Sequence, residues 1–181
     1  NNVILVTSAL PGEGKSFVSL NLALSLVRDR DLHVILVDGD VARPGLTPSL
    51  GLEGNPGLND VLEDPNADVS SVTYATDVEG LFVVPAGKWH DQAPELLASA
   101  RMPQVIEELN RRAGNGVIIL DSPPLLATNE AQVVSRHVGQ VLLVVRADGT
   151  EQRAVRDAIA LLDESATVSA VLNGVTPSVL G

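Results

Sequence analysis

The chain contains no cysteine, so disulfides, thiolate zinc sites and cysteine-held iron–sulfur clusters are excluded. Aromatic residues make up only 2% of it, which suits a sheet covered by helices better than an aromatic recognition surface. Basic residues are scarce too: 12 Lys and Arg stand against 23 Asp and Glu, a formal net charge of −11. Duplex binding rests on a basic face that neutralises phosphates, so no nucleic-acid partner is expected. No apolar run approaches the roughly 18 residues of a membrane span. The opening NNVILVTSA lacks the basic region and long apolar core of a signal peptide. A cytoplasmic protein is expected, with any membrane anchor outside this segment. The three histidines, His33, His90 and His137, share no metal-ligand spacing, and structural roles are expected for them.

What is present is 181 residues, 45% hydrophobic, which suits one domain, residues 1–181, around one substantial core. Residues 3–8, 33–38, 81–86, 116–121, 140–145 and 167–173 are short apolar runs rich in β-branched residues and read as strands. Most are apolar on both faces, as in a parallel sheet covered by helices. Between them, Phe17, Leu20, Leu24 and Val27 form one helical stripe, and Met102, Val105, Ile106 and Leu109 a second that Gly114 ends. Val155, Ala158, Ile159 and Leu162 form a third, with Thr150 as its expected N-cap. The stretch 42–77, rich in Gly, Pro, Asn and Asp, reads as loop with one short helix near Leu58–Leu62. The expected architecture is α/β: three layers, with a mostly parallel central sheet flanked by helices.

The chemistry concentrates in ALPGEGKSF, residues 9–17, which holds one of only two lysines. A glycine-rich turn between strand and helix aims backbone N–H groups at phosphates, and the helix N-terminus adds its positive end. Lys15 then reaches the β- and γ-phosphates and the Ser16 hydroxyl joins a magnesium shell. The pattern G-x-x-x-x-G-K-[ST] is met except at its first glycine, where Ala9 stands. Asp38 and Asp40 close the second strand in DGD, and Asp121 closes the fourth. In an open parallel sheet, ligands sit beyond the carboxyl ends of the strands, so these acids should gather around the same phosphates. They can hold magnesium directly or through water, and one can take the proton of an attacking hydroxyl.

With these motifs in order, the chain resembles the bacterial tyrosine kinases of exopolysaccharide synthesis, most closely the exosortase-associated autokinases. They are a branch of the deviant phosphate-loop (P-loop) ATPases that also holds the partition and division-site ATPases. TSALPGEGKSFVSLNLAL resembles that branch's Walker A segment, VILVDGDVARPGL its Walker A′ motif and VIILDSPPLL its Walker B. LFVVPAGKWHDQAPELLAS resembles a further family block. The similarity spans nearly the whole chain.

The resemblance implies ATP (with ADP as product) and Mg2+ as cofactors, and γ-phosphoryl transfer to tyrosine. Gly12, Glu13, Gly14, Lys15, Ser16 and Phe17 would form the cradle. Lys15, Asp38 and Asp40 would be catalytic, Asp38 as candidate base. Ser16, Asp40 and Asp121 would serve the metal. Asn173 matches an asparagine that reads adenine in relatives, or is a turn residue before Gly174. Arg43 either stands near the phosphates or a subunit contact, or is a solvated loop arginine.

The implied partners are other copies of the chain, phosphorylated in trans, and a membrane-spanning regulator of polysaccharide chain length that recruits it to the inner face of the membrane. Leu10 stands where partition-type relatives carry a second lysine, so a dimer bridged by that lysine is not expected. Tyr74 is the sole tyrosine. The resemblance implies a tyrosine-rich tail after Gly181 and an upstream assembly helix, making this a piece of a longer chain. Two other readings stay open: an ATP-hydrolysing switch of the partition type, and a kinase-like subunit that binds nucleotide without transferring phosphate.

Overall fold

A computed structural model describes residues 2–29 and 31–176. The elements run β1 (Val3–Ser8), α1 (Lys15–Leu26), β2 (Val34–Asp38), α2 (Leu46–Ser49), α3 (Leu58–Glu63), a 3-10 turn (Val69–Val72), β3 (Tyr74–Ala75) and β4 (Leu81–Val84). Then come α4 (Ala93–Leu97), α5 (Arg101–Ala113), β5 (Val117–Asp121), α6 (Glu130–Ser135), β6 (Gln140–Arg146), α7 (Gln152–Ala160) and β7 (Val168–Asn173). The strands form one sheet in the order β3-β4-β2-β5-β1-β6-β7. Every pair is parallel except β3 with β4.

Side chains alternate faces along a strand, and the alternation divides the core into two layers. Leu5, Val37, Ile118 and Leu120 face one side, where α5 packs Met102, Val105, Ile106 and Leu109 against them. Val6, Leu36, Ile119 and Val144 face the other, under Ala23 of α1. Strands covered on both sides must be apolar throughout, and all five residues of β2 are buried, its terminal aspartate included.

The structure corrects two helix faces. On α1 the fully buried residues are Lys15, Ser19 and Ala23, while Phe17 is 64% exposed and Leu24 lies at the surface. The cause is at the helix start. Turning Lys15 and Ser16 toward the strand ends sets the helix phase, and small residues four apart then meet the sheet while the bulky ones flank it. On α7 only Ala158 is fully buried, and Ile159 is largely exposed. That helix flanks the sheet's edge strand β7, which gives it less to cover. Trp89 is 60% exposed.

Candidate functional site

β1, β5 and β2 are neighbours, so the segments leaving their C-terminal ends meet. The turn after β1 carries Gly12 at φ +79° and Gly14 at φ +93°, a region that costs an L side chain about 1–2 kcal/mol. At Gly14 a Cβ would also collide with the Asn173 side chain. Gly14→Ala is therefore expected to destabilise the fold by about 2 kcal/mol or more and to weaken nucleotide binding. Thermal unfolding and nucleotide titration check this.

Glu13 has a part its backbone role did not suggest. Its buried carboxylate accepts from Leu10 N (2.7 Å), from Arg146 N (3.4 Å) and from the Thr150 hydroxyl. Its carbonyl accepts from Asn173 Nδ2 (2.9 Å). Thr150 consequently does not cap α7. The helix is preceded by extended Glu151 with no side-chain cap, because the threonine hydroxyl is given to Glu13. These bonds tie the phosphate loop to the ends of β6 and β7.

Lys15 is buried and makes no ion pair among the described residues. The Ser16 hydroxyl donates to Asp121 Oδ2 (2.5 Å) and Ser19 to Asp121 Oδ1 (3.3 Å). Asp38 sits in register beside Asp121. Its Oδ2 accepts from the backbone and hydroxyl of Thr47, both at 2.7 Å, and the Thr47 hydroxyl accepts from Ala86 N (2.9 Å). Asp38 Oδ1 is buried without a hydrogen-bond partner. Asp40 accepts only weakly, from Arg43 N at 3.3 Å.

Burial dominates the electrostatics of the three acids. It pushes Asp121 up to about 7 against the pull of the Ser16 hydroxyl, with Asp38 adding like-charge repulsion. Burial also raises Asp38, opposed by its bonds from Thr47, and Asp40, opposed by Lys15. A carboxyl that keeps its proton longer when folded than when unfolded stabilises the fold at low pH. That contribution is complete below the ordinary value of 3.8 and is lost as pH rises through about 7. Without magnesium or nucleotide, the melting temperature should therefore be higher at pH 5 than at pH 7.5, and Asp121→Asn should shrink the difference. Melting curves in chelator test this.

Oxygen donors of this kind suit a hard cation. Among the described residues, no group of three or more acids or histidines is arranged to hold a metal unaided. Magnesium takes one or two carboxylates and fills its shell with phosphate oxygens and water, so Ser16, Asp40 and Asp121 fit a metal that arrives with a nucleotide. The unpaired Asp38 oxygen beside them fits the same need.

In front of the loop lies a cleft of about 410 Å³. One wall carries Gly12, Lys15, Ser16, Asp40 and the exposed Arg43. The rest of the lining is largely apolar, with Val41, Pro94, Leu97, Pro123, Pro124 and Ala127. Asp38 and Asp121 lie behind this lining. Two polar residues outside the motifs also line it, Thr128 and Glu130. Glu130 is 7% exposed, and both Glu130 Oε2 and Thr128 Oγ1 are buried without hydrogen-bond partners. The available signal was TNEA opening α6, where an acid in the first turn reads as a favourable helix-end charge.

A family model described as ParA, NUBPL iron-transfer P-loop NTPase, matches residues 1–172. The solved kinase domain of Escherichia coli tyrosine kinase Etk superposes with a TM-score of 0.89 at 30% identity, covering 98% of this chain and 69% of that one. The chain belongs to the bacterial tyrosine-kinase family of P-loop NTPases. Tyrosine-protein kinase ptk of Acinetobacter johnsonii is 31% identical over 153 residues, 84% of this chain and 20% of ptk. The P-loop NTPase described here thus spans about a fifth of the length of the curated relatives it matches. The cell division ATPase MinD of Pyrococcus furiosus is similar at 26% identity, with a TM-score of 0.74 over 94% of this chain and 71% of that one. The iron transfer in the family model's description finds no thiolate here, since the chain has no cysteine.

Proposed function

We propose that these residues form one P-loop domain of a longer protein-tyrosine kinase that uses ATP and magnesium and phosphorylates other copies of itself. The observation that carries the reading is the cleft. Water needs no apolar surface, whereas proline, leucine and valine side chains lining the same cleft as a phosphate loop suit an aromatic ring that brings a hydroxyl to the γ-phosphate. In the proposed reaction the tyrosine oxygen bonds to the γ-phosphorus, the bond from that phosphorus to the β-phosphate oxygen breaks, and ADP leaves. Asp38 takes the hydroxyl proton. Lys15 and the loop N–H groups neutralise charge on the transferring group, so catalysis is by positioning and electrostatics without a covalent enzyme intermediate. Magnesium, when bound through Ser16, Asp40 and Asp121, supplies further charge neutralisation at the phosphates.

The setting we infer is control of exopolysaccharide synthesis beside a membrane-spanning chain-length regulator, at the cytoplasmic face. The sequence motifs support it, and the relatives' names support the kinase activity within it. Among the described residues, no helix is long and apolar enough to cross a membrane. A second reading, an ATP-driven switch without a protein acceptor, is favoured by the likeness to MinD. Incubating the full-length chain with labelled ATP and magnesium separates the two. Phosphotyrosine in wild type but not in Lys15→Met supports the kinase. Nucleotide binding with no label on either protein supports the switch or a non-transferring subunit.

A further inference from the structure

Glu130 is not used by the chemistry above, yet it is a conspicuous polar group in the lining of the cleft. It is 93% buried by area, being 7% exposed, and it stands in the first turn of α6. One carboxylate oxygen has no hydrogen-bond partner, and Thr128, two residues earlier, leaves its hydroxyl oxygen unpartnered as well. Burying an acceptor that nothing satisfies is costly, so such a group calls for a donor. No basic side chain pairs with Glu130 among the described residues. Both residues line the same cleft as Pro123, Pro124, Ala127 and Lys15.

A phosphate group would be repelled by this carboxylate. A neutral phenol has what it lacks, a single O–H donor carried on an apolar ring. We propose that Glu130 accepts the hydrogen bond of the incoming tyrosine hydroxyl and so positions the acceptor before transfer, with Thr128 beside it able to donate to the phenol oxygen. This assignment rests on the kinase reading. It divides the work between two acids in turn: Glu130 accepts from the hydroxyl on arrival, and the O–H then turns from Glu130 to Asp38, which takes the proton as the new P–O bond forms. Loss of Glu130 therefore appears in acceptor KM, and loss of Asp38 in kcat. A site built to bind a hydroxyl also distinguishes tyrosine from phenylalanine, because phenylalanine leaves the buried acceptor unpaired.

The test uses the full-length chain with ATP, magnesium, a synthetic tyrosine peptide as acceptor and the matching phenylalanine peptide as competitor. Glu130→Ala should raise KM for the tyrosine peptide by about tenfold or more. The inhibition constant of the phenylalanine peptide and KM for ATP should stay at wild-type values. Glu130→Gln keeps the shape and one acceptor oxygen, so it should fall between the two and serves as the measurement should the alanine variant not fold. An unchanged tyrosine-peptide KM in Glu130→Gln and Glu130→Ala overturns the assignment. So does a parallel rise for the phenylalanine peptide, which would make Glu130 a shaper of the cleft, or a rise in KM for ATP, which would place it in the nucleotide site. A wild-type chain that binds ATP but labels no tyrosine sinks the kinase reading and this assignment with it, and is recognised before any variant is made.

Discussion

Lys15→Met is expected to lower tyrosine phosphorylation by about a thousandfold or more, the scale on which phosphoryl transfer depends on a preorganised positive group, while the protein stays folded. The ammonium is buried, is held in no ion pair among the described residues, and acts electrostatically on Asp121 and Asp40. Methionine fills nearly the same length without charge. The usual danger in deleting one buried charge is that another is stranded. Here the neighbouring acids are already displaced upward, Asp121 to about 7, so they can take up protons instead. Thermal unfolding should shift little, and labelled-ATP transfer should collapse. A variant that retained a tenth of wild-type transfer would show that Lys15 is not the principal charge on the transferring group.

Asp38→Asn is expected to reduce kcat by about a hundredfold to ten-thousandfold, the range for removing a general base, with KM for both substrates little changed. An asparagine oxygen can still accept both bonds from Thr47. The amide nitrogen then occupies the place of Oδ1, which has no partner, and an unsatisfied buried donor costs about 1–3 kcal/mol. Part of that is offset because burial already disfavours the aspartate charge. Steady-state kinetics on the full-length chain decides the matter. Wild-type kcat in this variant would remove Asp38 from the reaction and leave Asp40 and Glu130, the two carboxylates that line the cleft, as the candidates for the base.

The long strands were legible because buried parallel strands must be apolar on both faces, and VILVTS, VILVD and VIILD announce that directly. β3 was not, since Tyr74–Ala75 is a two-residue antiparallel edge, too short for any alternation to show. Within 42–77 the helix at Leu58–Glu63 was expected. α2 was missed because Pro48 sits inside its four residues, and α4 and α6 because five or six residues hold too little periodicity. Phe17 misled for a different reason: hydrophobic spacing places a stripe on a helix without saying that Lys15 and Ser16 have first claim on its orientation. At the site, the motifs named Lys15, Ser16, Asp38, Asp40 and Asp121, and the fold brings these to or just beyond the ends of neighbouring strands. No motif named Glu130 or Thr128, since their meaning lies in a shared lining with Pro94 and Leu97, which chain order keeps apart. Glu13 was read for its backbone alone, because nothing nearby in sequence shows that Thr150 and Arg146 will come to its carboxylate.

The brace around Glu13 and the Ser16–Asp121 bond have a consequence for the order in which the protein matures. The loop's partners lie 105, 137 and 160 positions downstream, at Asp121, Thr150 and Asn173. Within this domain the phosphate cradle is therefore made before its partners, and the chain can finish it only when the last described strand has docked. Contacts so distant in sequence are slow to form, so the loop reaches its final geometry only as the far edge of the sheet assembles.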